Sequence, residues 1–271
     1  MPLLQLGPQD AIYYEHWAPS SSKGCTFVFF NALTGDTNTW ESAIGSKLRD
    51  EGHGSLAYNL RGQTDSPFSP ELKLDVDLIV DDALKLLSEV KPVRPILVGL
   101  SIGGLFAASA WLQGAEALGL VLINTLRRDG PRLKWIGDAL VRAVEVGGLD
   151  LFRDLFLPLL VNEKWLADNR SNFLKADGSY TSLDPGSGHY KLLAEAGRVA
   201  DWDLPYEQLK LPTLIITGLQ DHVFREREVV EDLFSRLPRG RRIDIKNAGH
   251  LIPNERPVEL ADVLLNFSKE I

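Results

Sequence analysis

Pro95-Ile96-Leu97-Val98-Gly99-Leu100-Ser101-Ile102-Gly103-Gly104, running on into Leu105-Phe106-Ala107-Ala108, is the stretch that decides the fold. The apolar run from Ile96 to Val98, closed by Leu100, reads as a buried parallel strand. The small and apolar residues after Ser101, through Trp111 and Leu112, read as a buried helix. Between the two lies G-x-S-x-G, the pattern of a nucleophile elbow. A serine on so tight a strand-to-helix turn is held in a strained backbone conformation that lifts its hydroxyl clear of the sheet. The turn leaves no room for side chains two residues to either side, which is the role of Gly99 and Gly103. A helix beginning at Ile102 aims free N–H groups and its positive dipole end at charge developing beside the serine. The plainer alternative is a glycine-rich turn that only lets a helix pack closely on its strand. Partners elsewhere in the chain decide between these readings.

The 271 residues allow one large α/β domain, or such a domain carrying an inserted lid. A net charge of -8 argues against a nucleic-acid or anionic-membrane surface. Cys25 is the single cysteine, so an internal disulfide and a cysteine metal cluster are both excluded, and the residue reads as a small buried hydrophobe. The histidines are scattered, and neither a metal nor a cofactor is expected. The first residues, Met1-Pro2-Leu3-Leu4-Gln5, lack the basic and long apolar segments of a signal peptide, and no stretch is long enough to cross a bilayer. A cytoplasmic protein is the expectation. The oligomeric state is left open.

Leu3 to Leu6 and Ala11 to Trp17 read as an opening hairpin, and Thr26 to Phe30 as a buried central strand. Trp40 to Arg49 reads as helix, Ser55 to Asn59 as strand and Asp75 to Val90 as an amphipathic helix closed by Pro92 and Pro95. Leu118 to Asn124 continues the alternation after the elbow. The rhythm then breaks. Residues 127–204 show helical stripes (Leu133, Ile136, Leu140, Val144; then Phe152, Leu155, Phe156, Leu159, Leu160) but no convincing buried strand. Alternation returns with the strand Thr213 to Gly218, a helix near Glu226 to Leu237, the strand Arg242 to Lys246, and a final helix that opens at Pro257 and buries Leu260, Val263, Leu264 and Phe267.

A serine hydroxyl needs a base. Of the five histidines, His250 leaves the carboxyl end of the last strand, where sites of open α/β sheets collect. The imidazolium formed during attack needs an orienting carboxylate. Asp221, in Gly218-Leu219-Gln220-Asp221, sits just past the preceding strand, and Asp129, after the strand before that, is the rival.

These motifs, in the order Gly99-Leu100-Ser101-Ile102-Gly103, Gly218-Leu219-Gln220-Asp221 and Gly249-His250 with Glu255-Arg256-Pro257, resemble those of α/β-hydrolase fold enzymes with a helical cap. Asn59 to Ser66 is similar to that family's D-x-R-G-x-G-x-S loop, with Asn for the first Asp and Thr for the second Gly. The resemblance spans nearly the whole chain. It implies a mostly parallel eight-stranded sheet with helices on both faces, a core of residues 1–126 and 205–271, and a cap of residues 127–204. It implies Ser101, Asp221 and His250 as a catalytic triad, with the backbone N–H groups of Leu33 and Ile102 as the oxyanion hole. In one departure, the family's His-Gly after the third strand is here Asn31-Ala32, so that the stretch could equally be a plain strand and turn.

The activity implied is a serine hydrolase of carboxylic esters or related acyl compounds acting on a small molecule. Carbon–carbon bond hydrolysis and acyl transfer use the same triad and stay open, and a ligand receptor on the same scaffold is the alternative from another class. Dehalogenases and epoxide hydrolases of this fold carry Asp at the nucleophile position, against Ser101. The insert, rich in Leu, Phe and Trp, is expected to roof an apolar pocket, with Trp135 and Trp165 as candidate contacts. Arg127 and Arg128, at the start of the insert, are candidates for gripping an anionic substrate; the alternative is that both face solvent and pair with acids such as Asp129.

Overall fold

The computed structural model describes residues 2–173 and 178–271. Its sheet is eight-stranded: β1 (Leu3–Gln5), β2 (Ala11–Trp17), β3 (Thr26–Phe30), β4 (Gly54–Tyr58), β5 (Pro95–Leu100), β6 (Gly119–Ile123), β7 (Thr213–Gly218) and β8 (Gly240–Ile245), in the order β1-β2-β4-β3-β5-β6-β7-β8. The hairpin strands β1 and β2 are antiparallel; β4 through β8 pair in parallel. Strands β3 to β7 are buried along their length, Pro95 at the start of β5 apart, because both faces are covered, so β3, β5, β6 and β7 run largely apolar without alternation.

Successive side chains feed two cores. Val28, Phe30, Leu97 and Leu122 face the helices Val76–Val90 and Ile102–Leu112. Phe27, Phe29, Val98 and Ile123 face the final helix Pro257–Ser268, with Leu260, Leu264 and Phe267 inward. Cys25 is buried in this second core. The Val76–Val90 helix is capped by Asp75, whose Oδ1 accepts from the Leu78 N–H at 3.1 Å.

Between β6 and β7 no strand occurs among the described residues. A helical run, Pro131–Leu160, is broken at Gly147 and Gly148, where Gly148 adopts φ 66° and ψ -164°, and is followed by Glu163–Phe173. The second apolar stripe of the sequence is only partly inward: beyond the break Leu157 and Leu160 are buried, whereas Leu155 and Leu159 are exposed. No helix among the described residues is long and apolar enough to cross a membrane.

The turn after β5 is set by contact. A Cβ on Gly103 would stand 2.2 Å from the carbonyl oxygen of Phe30, and one on Gly99 would stand 2.3 Å from that of Gly103. Both obstacles are backbone and cannot turn aside. Gly103→Ala is therefore expected to lower unfolding free energy in urea by about 3 kcal/mol. Gly130→Ala, with nothing within 4 Å of the added carbon, serves as the control and should change it by under about 0.5 kcal/mol. Equal midpoints would remove close packing as the reason for Gly103.

Candidate active site

Ser101 stands at the end of β5 with φ 58° and ψ -124°, a conformation that non-glycine residues avoid at a cost of about 1–3 kcal/mol. Its N–H donates to the Ile123 carbonyl at 2.8 Å, which fixes the turn against β6. The Ile102–Leu112 helix starts at the next residue. The side chain is buried, but it faces a cavity of about 460 Å³.

His250 reaches the same cavity from the loop after β8. Its Nδ1 lies 2.7 Å from Oδ2 of Asp221, in the loop after β7. The other carboxylate oxygen of Asp221 accepts the N–H groups of Val223 (3.0 Å) and Phe224 (2.9 Å), so both oxygens are held. Burial pushes the Asp221 carboxyl up, but His250, the Phe224 N–H and the Arg127 charge outweigh it and leave the group more acidic than usual. Asp129 is in the cavity wall and is not the partner of His250. Burial and the neighbouring Asp201 raise its pKa.

Two residues whose parts the sequence did not disclose hold the His250 loop. Asn124, at φ 49° just past β6, donates to the carbonyls of Gly249 (3.0 Å) and His250 (2.9 Å) and accepts from the Gly218 N–H (2.8 Å). One side chain thus ties the loops after β6, β7 and β8 together. Glu255 is buried and accepts the N–H groups of Gly249, Leu251 and Asn162. The only sequence cue was its place six residues beyond Gly249.

Leu33 and Ile102 both line the cavity beside Ser101. The loop after β3 is held by side chains where the sequence has Asn31-Ala32. Gln63 Nε2 donates to the carbonyls of Ala32 (2.8 Å) and Leu33 (3.1 Å), while its Oε1 accepts from the Leu60 N–H at 2.8 Å. Asn31 is buried, donates to the Tyr58 carbonyl (2.8 Å) and accepts from Trp40 Nε1 (2.7 Å). A buried amide that satisfies both its donor and acceptor ends fixes a loop without the replaced histidine.

The two arginines separate. Arg127 is buried, and its Nη2 donates to Ser101 Oγ at 2.8 Å and lies 3.4 Å from His250 Nε2. Arg128 points outward, half exposed, in an ion pair with Asp232, and does not line the cavity. Neither arginine is paired with Asp129. Trp165 lines the cavity and donates its Nε1–H to the Asn254 carbonyl at 3.1 Å. Trp135 does not line it: the residue is 79 % exposed, because the Pro131–Leu160 helix turns that position away while Leu133 and Leu140 face in. The remaining wall is largely apolar, with Leu149, Phe152, Leu157, Leu160 and Phe224. Among the described residues no group of three or more His, Cys, Asp or Glu side chains could hold a metal ion.

The sequence profile of the alpha/beta hydrolase fold matches residues 26–257. RutD of Variovorax paradoxus (strain S110), whose name gives it provisionally as a carbamate hydrolase, is 23% identical over 212 residues, covering 78% of each chain. A thermophilic esterase from Thermogutta terrifontis superposes with a TM-score of 0.78 at 21% identity, covering 96% of this chain and 94% of that one. The esterase EaEST from Exiguobacterium antarcticum gives 0.81 at 19% identity, covering 98% of both chains. At these identities the structural likeness establishes the fold.

The ionised Asp221 gives this region a pH dependence with a definite sign. Its folded pKa lies below the ordinary 3.8, so the stabilisation it contributes is complete above that value and is lost as pH falls through the lower folded value. Asp221→Asn should lower unfolding free energy by about 2 kcal/mol at pH 7, and urea midpoints of the two proteins should converge as pH falls below 3.8. A gap that stays constant with pH would mean that the carboxylate charge is not what matters.

Proposed function

The chain belongs to the alpha/beta hydrolase fold family, and from that premise we propose that it is a serine hydrolase cleaving a carboxylic ester or related acyl bond. The observation that carries this reading is the 2.7 Å contact of Asp221 with Nδ1 of His250, a residue that lines the same cavity as the strained Ser101. Asp221 fixes the tautomer in which Nδ1 carries the proton and Nε2 is free to accept one.

In this reading Nε2 takes the proton of Ser101 as Oγ attacks the substrate carbonyl carbon, and the carbonyl oxygen becomes an oxyanion held by the N–H groups of Leu33 and Ile102. The imidazolium then protonates the leaving group, giving the acyl-enzyme. Water, deprotonated by Nε2, attacks the ester carbon, and Ser101 departs with the proton returned. One oxyanion donor is worth about 3 kcal/mol in the transition state, which is the physical use of the Gln63 bonds that hold the Leu33 loop. The helical insert, residues 127–204, serves as a lid whose apolar side chains exclude bulk water.

A fluorophosphonate probe followed by peptide mass spectrometry should add its mass to Ser101 alone. Ser101→Ala should cut kcat by about 10⁵ on any p-nitrophenyl ester that the enzyme turns over. Labelling elsewhere, or full activity in the variant, would end this reading; one stoichiometric acylation without turnover would favour a receptor.

A further inference from the structure

Arg127 is a buried cation without a carboxylate of its own. The side chain is 6 % exposed, with its guanidinium carbon 4.0 Å from the Phe224 ring centroid and 4.7 Å from that of Trp202. Nη2 meets Ser101 Oγ and, at 3.2 Å, the Asn124 carbonyl, and Nε is buried with no hydrogen-bond partner. No ion pair to Arg127 occurs among the described residues, and Asp221 is committed to His250 and two backbone N–H groups. Burial lowers the guanidinium pKa to about 10, so it remains charged at neutral pH. A charge taken out of water this way is expensive; two aromatic faces offset only part of the cost. An anion from outside the chain would supply the rest.

Topology says where that anion belongs. Leu33 follows β3 and Arg127 follows β6, the strands on either side of β5. Leu33, one of the two expected oxyanion donors, and the guanidinium therefore flank Ser101 from opposite sides, and the guanidinium shares its side with His250. A carbonyl with its oxygen turned toward Leu33 directs a substituent at Arg127. The planar fork of a single guanidinium suits a planar monoanion. The other charged residues lining the cavity are of mixed sign: Lys134, Arg153 and Arg198 against Asp129 and Asp201.

We propose that Arg127 is the specificity-determining residue of this site and that the substrate carries a carboxylate within a few bonds of the scissile carbonyl. The proposal rests on the serine-hydrolase reading. Without substrate, Nη2 holds the Ser101 oxygen and stands beside Nε2. A bound carboxylate draws the guanidinium N–H groups to itself and leaves the serine hydroxyl to donate to the histidine. No bond is made or broken by Arg127.

The test uses methyl hemiesters of malonic, succinic and adipic acid against the corresponding dimethyl esters. The wild-type protein should favour each hemiester, most strongly for malonate, where the carboxylate is nearest the ester. In Arg127→Gln the hemiester-to-diester ratio of kcat/KM should fall by about 30-fold or more. Arg127→Ala should regain part of the ratio when guanidinium chloride is added, a response that a merely structural arginine would not give. Malonate should inhibit diester hydrolysis competitively in the wild type and much more weakly in Arg127→Gln. The proposal is overturned by a ratio that Arg127→Gln leaves unchanged, by equal losses on both ester classes, or by a wild-type preference for diesters that the substitution relieves. Fluorophosphonate labelling of Ser101 in both proteins separates the two levels. Label without carboxylate preference sinks only the role of Arg127, and no label in the wild type sinks the serine-hydrolase reading with it.

Discussion

Carbonyl oxygens crowd the turn after β5, and the remainder of the site is arranged around that crowding. The Phe30 carbonyl comes so near Gly103 that no side chain fits, which draws the Ile102–Leu112 helix down onto β3 and β5. With the helix that close, the single residue between strand and helix has to take a positive φ, and it is Ser101 that bears the strain. A strained residue persists only where its surroundings over-determine it. Here the two-sided core does so, since β5 is buried against β3 and β6 and covered on both faces.

The loops that face Ser101 depend on polar side chains rather than on apolar packing. Asn124 links three strand ends, Glu255 gathers N–H groups from the His250 loop and from Asn162 of the insert, and Gln63 with Asn31 does the same for the loop after β3. Burial raises the Glu255 carboxyl pKa, yet its backbone donors oppose the shift. Each such group would be costly if left unsatisfied. The same cost that makes these residues necessary makes the loop positions sharp, because a small displacement breaks several bonds at once.

Arg127 is the exception within this well-satisfied set. Every other buried charge near Ser101 has its partners inside the chain: Asp221 has His250, and Glu255 has three backbone N–H groups. The guanidinium has aromatic faces, a hydroxyl and a carbonyl, but no ion pair among the described residues; the Asp221 carboxylate that it feels is bonded to His250. Under the proposed role, a buried guanidinium beside Ser101 with no ion pair among the described residues is what narrows entry to this site.

The local signals of the sequence determined the architecture and brought out the main candidates. Short apolar runs bounded by turn residues read as strands covered on both sides, and β3, β5, β6 and β7 are such strands. The glycines around Ser101 speak for themselves because only close backbone contact requires them there. The strand-end positions of Asp221 and His250 were legible from periodicity. What the sequence left open turns on side-chain direction. Arg127 and Arg128 are adjacent and chemically identical, yet one is buried against Ser101 and the other pairs with Asp232 at the surface, where the chain leaves the core after β6. Trp135 and Trp165 are likewise indistinguishable by type, but helix rotation exposes the first and turns the second to the cavity. The break at Gly147 and Gly148, the Asn124 link and the Glu255 cluster join residues far apart in the chain. Such contacts have no period to read, and only the tertiary packing decided them.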